Sequence, residues 1–250
     1  RGVLIPLRPQ TTLVSLDRMC GRFTLRTPAN IIKDVFGLDP LPGFRPRYNV
    51  APTQPVAVVR LTDEGRQLDM LRWGLIPWWA KDISIGNRLI NARAETVATK
   101  PAYREPFEQR RCLIPADGFY EWQRLPNGRK QPFHVDLSTG DPFAFAGLWD
   151  RWRDRASGAV TESCALITIG ASSAVAPIHH RMPVMLTPSA FAAWLEPEAQ
   201  PEELQGLLRP IASERVRATP VSVLVNGPDN DDPRCLDPVV APSPQPTLFD

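Results

Sequence analysis

The sequence predicts a single-domain α+β protein with a mainly antiparallel, barrel-like mixed β-sheet and a few flanking helices. Three observations support this fold class. The chain has 250 residues and 43% of them are hydrophobic, which is enough for one sizeable core. Short runs rich in β-branched and aromatic residues, bounded by Gly, Pro or Asp, recur along most of the chain. Helical patterns are few and isolated from one another.

The predicted strands are, in chain order, GRFTL, PVAVVRL, QLDMLRWGLI, RCLIPADGFYEWQ, QPFHVDL, PFAFAGLWDRW, TESCALITIGA and RVRATPVS. The segment LPNGRK, with its Asn127–Gly128 pair, predicts a hairpin turn between two of them. Three segments predict helices: TPANIIKDVFG, TPSAFAAWLEP and PEELQGLLRP. In the first, we expect Thr27 to be the N-cap, Pro28 the first helical residue and Gly37 the stop.

Three regions differ in pattern. Residues 1–18 lack strand or helix periodicity and the apolar region of a signal peptide, and we expect a leader that is not part of the mature protein. Residues 19–238 are expected to form one domain. Residues 239–250 are rich in proline, and we expect a flexible tail.

The formal net charge of +2 is that of the leader, which holds three Arg and one Asp. Bulk charge therefore does not predict nucleic-acid binding, and any phosphate contact has to come from a local patch. The cysteines Cys20, Cys112, Cys164 and Cys235 are widely spaced, which suits a reducing cytoplasm and predicts no metal site. No apolar run is long enough to span a membrane.

The Met19–Cys20 pair lies where the leader meets the first predicted strand. If the chain starts at Met19, or if the leader is removed, Cys20 becomes N-terminal. Its amine then titrates near ~8 and its thiol near ~8.5. Such a 1,2-aminothiol condenses with an aldehyde to an imine and then to a thiazolidine, and it can also act as a hydrolase nucleophile. The alternative is a buried strand cysteine.

Two further segments carry polar candidates. In LINARAETV, Asn91 could orient a polar substrate group and Arg93 could bind a phosphate; the alternative is a surface strand ending in an Arg–Glu pair. In PADGFYEW, Glu121 lies between Tyr120 and Trp122. A partly desolvated carboxylate there suits proton transfer, whereas strand alternation also allows a solvated glutamate that points outward.

The segment APIHHRMPVML holds His179, His180 and Arg181. The pattern suggests a site loop in which the arginine binds a phosphate and a histidine moves protons. The alternatives are a metal-binding pair and a surface loop. We expect adjacent histidines on an extended segment to point to opposite sides, which disfavours a shared metal.

The segment LRWGLIPWWAKD places Trp73, Trp78 and Trp79 close to basic residues. Aromatic and basic side chains in alternation suggest a stacking surface for single-stranded nucleic acid. The alternative, a tryptophan in the core, is expected for at least one of the three.

Together, eight motifs in one order resemble the SRAP (SOS response-associated peptidase) family of abasic-site processing proteins. They are MCGRF, YNVAPTQ, RWGLIPWW, NARAET, RCLIPADGFYEW, FAFAGLWD, HHRMPVML and PVSVLVN. The resemblance covers nearly the whole of residues 19–238. It implies a mixed, mainly antiparallel sheet with helices, in agreement with the residue pattern.

The resemblance also implies a chemistry. Cys20 would form a thiazolidine with the ring-opened aldehyde of an abasic site in single-stranded DNA, with associated lyase and autoproteolytic activity. Asn91 would hold the lesion's sugar end and the cysteine amine, Glu121 would transfer protons, and His179 would aid ring opening and crosslink reversal. The implied DNA contacts are Arg22, Arg93 and Arg181 on phosphates, and Trp78 or Trp79 at the flanking bases.

We further expect no cofactor, no metal, no membrane partner, a monomer, and a place in the bacterial cytoplasm, associated with the nucleoid. Two features depart from the family: the eighteen residues before Met19, and His180, where the family often has Asp or Asn. Two other functions stay open. One is a thiol peptidase using Cys20, Glu121 and His179; the other is a non-catalytic nucleic-acid-binding module.

The last residues, PQPTLFD, place Gln245, Leu248 and Phe249 in a Q-x-x-L-F arrangement. It resembles the peptide by which bacterial repair proteins dock on the replication sliding clamp. Two apolar anchors and a glutamine on a flexible segment suit a preformed pocket. The alternative is a chance match in a random tail.

Overall fold

The computed structural model describes residues 21–39, 43 and 45–240, and within them it contains thirteen strands and four α-helices. The strands are β1 Phe23–Leu25, β2 Arg47–Val50, β3 Pro55–Thr62, β4 Gly65–Trp73, β5 Asn91–Arg93, β6 Arg111–Ala116, β7 Gly118–Arg124, β8 Lys130–Leu137, β9 Phe143–Arg153, β10 Val160–Gly170, β11 Arg181–Pro183, β12 Met185–Leu186 and β13 Val216–Pro220. The helices are α1 Ala29–Phe36, α2 Arg104–Gln109, α3 Pro188–Leu195 and α4 Pro201–Leu207. The predicted α+β class is confirmed.

Five strands close into a barrel in the order β10-β4-β3-β6-β9, because β9 pairs in turn with β10. The β10–β4 pair is parallel, and the other four pairs are antiparallel. Three short strands, β5, β11 and β12, add to the barrel wall through β10 and β9. The structure thus confirms the barrel-like, mainly antiparallel sheet that the sequence predicts.

The second sheet is antiparallel, with strand order β13-β8-β7-β1-β2. Its apolar face shares a core with the barrel. The ring of Phe145 on β9 makes edge contacts with Phe23 and Phe119, at centroid distances of 5.5 and 6.3 Å. Burying a side chain of this size contributes about 1.5–3 kcal/mol. The barrel and the second sheet therefore form one domain with a shared core.

Local signals at turns and helix ends are largely confirmed. The β7–β8 hairpin turns through Gly128, which has φ 78°, and α1 ends at Gly37, which has φ 64°. The N-terminus of α1 differs from the prediction. The cap is Pro28, because the hydroxyl of Thr27 donates instead to the buried carboxylate of Asp117. The six-residue helix α2 was not predicted, since its length gives too little periodicity.

The run RCLIPADGFYEWQ, expected as one strand, is two strands in two different sheets, with Asp117 alone between them. The buried Asp117 carboxylate accepts four hydrogen bonds at 2.6–2.9 Å. The donors are the Thr24 hydroxyl, the Arg26 amide, and the amide and hydroxyl of Thr27. One carboxylate therefore ties the end of β1 to the point where the chain changes sheets.

His134 on β8 lies beneath the same junction. Its Nε2 atom is 3.2 Å from the Thr24 hydroxyl, and its ring meets Tyr120 edge-on. A Cβ atom at Gly118 would lie 2.1 Å from this Nε2, so only glycine fits there. Burial lowers the pKa of His134 from 6.5 to about 3.

Within the described part of the chain, no α-helix has the length and apolar character needed to cross a bilayer.

The buried imidazole of His134 should make the protein sensitive to acid. Between pH 6.5 and about 3 the unfolded chain binds a proton at this histidine and the folded chain does not, so acid favours unfolding. The limiting slope is about 1.4 kcal/mol per pH unit, which gives a loss of about 2 kcal/mol at pH 5. Urea unfolding of the wild type and of His134→Gln at several pH values measures it. Equal slopes in the two proteins would contradict the assignment.

Candidate functional site

Two short strands flank the end of β10 and bring basic side chains together. Parallel pairing sets Arg93 of β5 beside Thr168, and antiparallel pairing sets Arg181 of β11 beside Gly170. The Arg181 guanidinium donates to the Thr168 carbonyl at 2.7 Å, and the Thr168 hydroxyl donates to the Ala92 carbonyl. The predicted phosphate contacts Arg93 and Arg181 therefore lie on the two strands that flank the end of β10.

The loop from residue 171 to residue 180 carries the two histidines and is held firmly. The buried Val175 anchors it in the core, and the carbonyl of Val175 accepts the amides of Ile178 and His179. Because the segment turns here, the rings of His179 and His180 lie side by side, with centroids 4.4 Å apart and planes at 32°. The expectation that they point to opposite sides was wrong, since it assumed an extended backbone.

Glu121 points into the interior on β7, and its side chain is 3% exposed. Its Oε1 atom is 3.9 Å from the Nδ1 atom of His179. Tyr120 is buried as well, and its hydroxyl donates to the Tyr48 carbonyl. Both faces of β7 are therefore covered at this point, and the alternative of a solvated Glu121 was wrong.

A second contact holds β7 against the loop of residues 171–180. The side-chain amide of Gln123 donates to the Pro177 carbonyl at 3.1 Å. Glu121 and Gln123 of the second sheet thus lie against the loop of residues 171–180 that follows β10. Sequence reasoning missed Gln123, because a glutamine near a strand end carries no pattern that assigns it a partner 54 positions away.

The Nδ1 atom of His179 lies 3.1 Å from both the amide nitrogen and the carbonyl oxygen of Arg181. A neutral Nδ1 accepts the amide proton, whereas a protonated Nδ1 donates to the carbonyl. The Nδ1 atom therefore has a hydrogen-bond partner with or without a proton.

Arg181 forms a two-bond ion pair with Glu95, in which Nη1 meets Oε1 and Nη2 meets Oε2. The hydrogen bond from Arg181 holds the pKa of Glu95 below its usual range. The sequence suggested an arginine–glutamate pair within LINARAETV. In the structure Glu95, in the turn after β5, pairs instead with Arg181 of β11. His180 lies beside the same charges, and its pKa is lowered by burial and by His179, Arg181 and Arg93.

Asn91 opens β5, beside Leu166 of β10. Its carbonyl accepts the Tyr103 hydroxyl at 3.0 Å, and the carbonyl of Ile90, the residue before it, accepts the Trp73 indole. Buried aromatic residues on two sides thus fix the backbone at Asn91. The proposed role of its side chain stays a prediction.

The half-buried Arg22 side chain makes its hydrogen bonds within the protein. Its Nη1 atom donates to the Asn49 side chain at 2.9 Å and to the Val225 carbonyl at 2.7 Å. These bonds tie the start of β1 to β2 and to the 3₁₀ turn Val223–Asn226. A phosphate contact by Arg22 stays a prediction.

The three tryptophans of LRWGLIPWWAKD separate as the sequence suggested. Trp73 is fully buried, whereas Trp78 and Trp79 are 58% and 39% exposed. The Trp78 indole donates to Glu105, and its amide donates to Asp150. Trp78 and Trp79 thus lie on the loop after β4. The hydrogen bonds of Trp78 are made to α2 and β9, and not to Glu121 or His179.

Several predicted residues lie outside the described residues: Cys20, the leader 1–18, and Gln245, Leu248 and Phe249 of the tail. Among the residues that are described, no three His, Cys, Asp or Glu side chains are grouped to hold a metal ion.

The fold and these side chains define a class: a closed β-barrel with a covered carboxylate–imidazole pair next to an arginine-lined rim. Over residues 19–228 the sequence matches the family described as SOS response associated peptidase (SRAP). The chain therefore belongs to the SRAP family.

Relatives and solved structures agree with this assignment. The chain is 43% identical over 223 residues to the abasic site processing protein YoqW of Bacillus subtilis (strain 168), covering 88% of this chain and 99% of that protein. It is 31% identical over 232 residues to the abasic site processing protein YedK of Escherichia coli (strain K12), covering 88% and 100%. The crystal structure of a protein from Bacteroides thetaiotaomicron superposes with a TM-score of 0.80 at 26% identity, covering 88% of this chain and 100% of that one.

Proposed function

We propose that the protein recognises abasic sites in single-stranded DNA and forms a covalent thiazolidine crosslink to them through Cys20, with associated lyase activity. The observation that carries the proposal is the buried Glu121 carboxylate facing His179 across the two sheets. Relatives called abasic site processing proteins support the class of substrate.

The path of the chain supports Cys20 as the nucleophile. The Arg22 carbonyl accepts the Tyr120 amide at 3.0 Å, so β1 begins alongside the part of β7 that carries Glu121. Only Gly21 separates Arg22 from Cys20 in the sequence. The strand that leads away from the cysteine thus starts next to the carboxylate–imidazole pair.

The chemistry balances without a cofactor. The Cys20 amine adds to the aldehyde carbon of the opened sugar, and the adduct loses water to give an imine. The thiol then adds across the C=N bond, with sulfur on carbon and the proton on nitrogen, which closes the five-membered ring. Each step moves protons, and Glu121 and His179 are the groups placed to move them.

DNA contacts would come from the arginines beside this pair and from the exposed tryptophans of the loop after β4. Arg93 and Arg181 lie on the two strands that flank the end of β10, and the phosphates of one DNA strand can bridge them. The exposed Trp78 and Trp79 offer faces on which bases can stack. None of these contacts reads base identity, which suits a lesion that has lost its base.

The reaction needs a free α-amine on Cys20, so the reactive form carries no residue attached before it. If the protein removes its own leader, it does so by hydrolysis of the Met19–Cys20 peptide bond, the autoproteolytic part of the proposal. Protein that retains residues 1–19 should not crosslink.

A thiol peptidase using Cys20, Glu121 and His179 is the competing function, and the covered carboxylate–imidazole pair is the observation that would also serve it. The third candidate is a binding module without chemistry. A denaturing gel after incubation with abasic single-stranded DNA separates the three. A shifted band supports crosslinking, peptide cleavage without a shift supports the peptidase, and neither result supports the binding module.

Replacing Cys20 by serine should abolish the stable crosslink. Cys20→Ser keeps the α-amine and loses the thiol, so it should form a labile imine but no thiazolidine. Denaturing gels with and without borohydride measure this, because borohydride reduces an imine to a stable amine. We expect a shifted band for Cys20→Ser only with borohydride. A wild-type yield of adduct from Cys20→Ser without borohydride would exclude the thiazolidine.

Replacing the two proton-transfer groups should slow the chemistry and spare DNA binding. For Glu121→Gln and His179→Ala we expect adduct formation or reversal to slow by about 10²-fold, the lower end of general acid–base effects. The affinity for single-stranded DNA should stay close to that of the wild type. Single-turnover gels and fluorescence anisotropy measure the two quantities, with Glu202→Gln, exposed on α4, as the control. Equal losses of rate and affinity would assign both residues to structure.

The tail should bind the replication sliding clamp through Gln245, Leu248 and Phe249. Val240, the last described residue, is 97% exposed. Because ordering a short peptide on binding costs entropy, we expect an affinity on the order of micromolar. Calorimetric titration of the 241–250 peptide into the clamp measures it. Absence of binding at roughly a hundred micromolar, or equal binding by the Leu248→Ala/Phe249→Ala peptide, would refute it.

A further inference from the structure

In the protein without DNA, each edge of the Arg181 guanidinium is either paired or buried. Its Nη1 and Nη2 atoms both face the Glu95 carboxylate, and Nη2 also donates to the Thr168 carbonyl. Its Nε atom is buried and has no acceptor among the residues that the structure describes. The outward edge is therefore the part that an incoming anion can reach, and Glu95 occupies it.

The exposure of the two side chains shows which partner lies on the outside. Arg181 is 12% exposed and Glu95 is 52% exposed. Two oxygens of a phosphate have the same fork geometry toward a guanidinium as two oxygens of a carboxylate. A DNA phosphate that binds Arg181 would thus take the position where the Glu95 carboxylate now lies.

We propose that Glu95 competes with DNA phosphate for Arg181 and thereby lowers the affinity of the protein for undamaged single-stranded DNA. This inference rests on the proposed function, because it concerns how the same site meets its DNA. Arg93, exposed on β5 across β10 from Arg181, supplies the first electrostatic attraction, and Arg181 binds DNA only when a phosphate displaces Glu95.

The competition has a consequence for salt dependence. A phosphate that pairs with a free arginine releases condensed counterions, which steepens the salt slope by about 0.7 per contact on a single strand. When the phosphate displaces Glu95, the freed carboxylate attracts a cation, which offsets the counterions released from the DNA. The Arg181 contact therefore steepens the salt slope little in the wild type. In a variant without the Glu95 carboxylate, the same contact steepens the slope by the full amount for one contact.

Substitution of Glu95 tests the proposal on the full chain. We expect Glu95→Gln to bind an undamaged single-stranded oligonucleotide about 3- to 10-fold more tightly than the wild type at low salt. Its log–log salt slope should be steeper by about 0.7. Fluorescence anisotropy at several salt concentrations measures both. The unfolding temperature should change little, because an ion pair with a half-exposed carboxylate contributes little to stability.

A matched variant controls for net charge. Asp69→Asn changes the charge by the same amount and also removes a carboxylate from an arginine, Arg60, but on the β3–β4 hairpin away from the predicted DNA contacts. Equal affinities and slopes for Glu95→Gln and Asp69→Asn would overturn the proposal.

The second test is a double-mutant cycle. Arg181→Ala should remove the gained affinity and slope in the Glu95→Gln background and change the slope little in the wild-type background. A gain that persists in Glu95→Gln/Arg181→Ala would mean simple repulsion by Glu95 and would also overturn the proposal. If Arg93→Ala weakens binding and the wild type crosslinks, the proposed function stands even where the competition fails.

Discussion

Asp117 lies alone between β6 of the barrel and β7 of the second sheet, and its carboxylate accepts hydrogen bonds from amide and hydroxyl groups within and just after β1. The chain passes from one sheet to the other within one residue, so the two sheets are held close together at this point. The carboxylate accepts hydrogen bonds from two partly buried amides that would otherwise lack this acceptor, and a fully buried amide left without one costs about 1–3 kcal/mol. The short strand β1 is thereby fixed against β7, with His134 and Gly118 closing the space beneath.

The site depends on this junction because its groups come from both sheets. Glu121 comes from the second sheet, whereas His179, Arg93 and Arg181 come from the barrel edge around β10. A slip of β7 by one residue would turn Glu121 to the opposite face of its strand. The aromatic contacts between Phe119 and Phe145, and the bond from Gln123 to Pro177, resist such a slip.

Much of the fold could be predicted from the sequence because its signals are local. Runs of β-branched and aromatic residues, bounded by Gly, Pro or Asp, predicted the long strands. Asn127–Gly128 and Gly37 marked a hairpin turn and a helix end where left-handed backbone is needed. The chemical candidates Glu121 and His179 were named from residue type and motif. Their distance, the pairing of Glu95 with Arg181, and the burial of Asp117 depend on contacts between distant segments. No local pattern encodes those contacts, and the same lack of local signal hid the short helix α2.

Because the site residues are far apart in the sequence, they leave the ribosome at different times during synthesis. At about 5–20 residues per second, Cys20 leaves the ribosome on the order of ten seconds before His179. Glu121 emerges in between, and the parallel pair of β4 and β10 cannot form until β10 has followed. Under the proposed function, a nascent chain would carry the nucleophile Cys20 before the groups that would activate it. Aldehydes met in that interval would react at the slow pace of a free cysteine, so capture would be deferred until the barrel has closed.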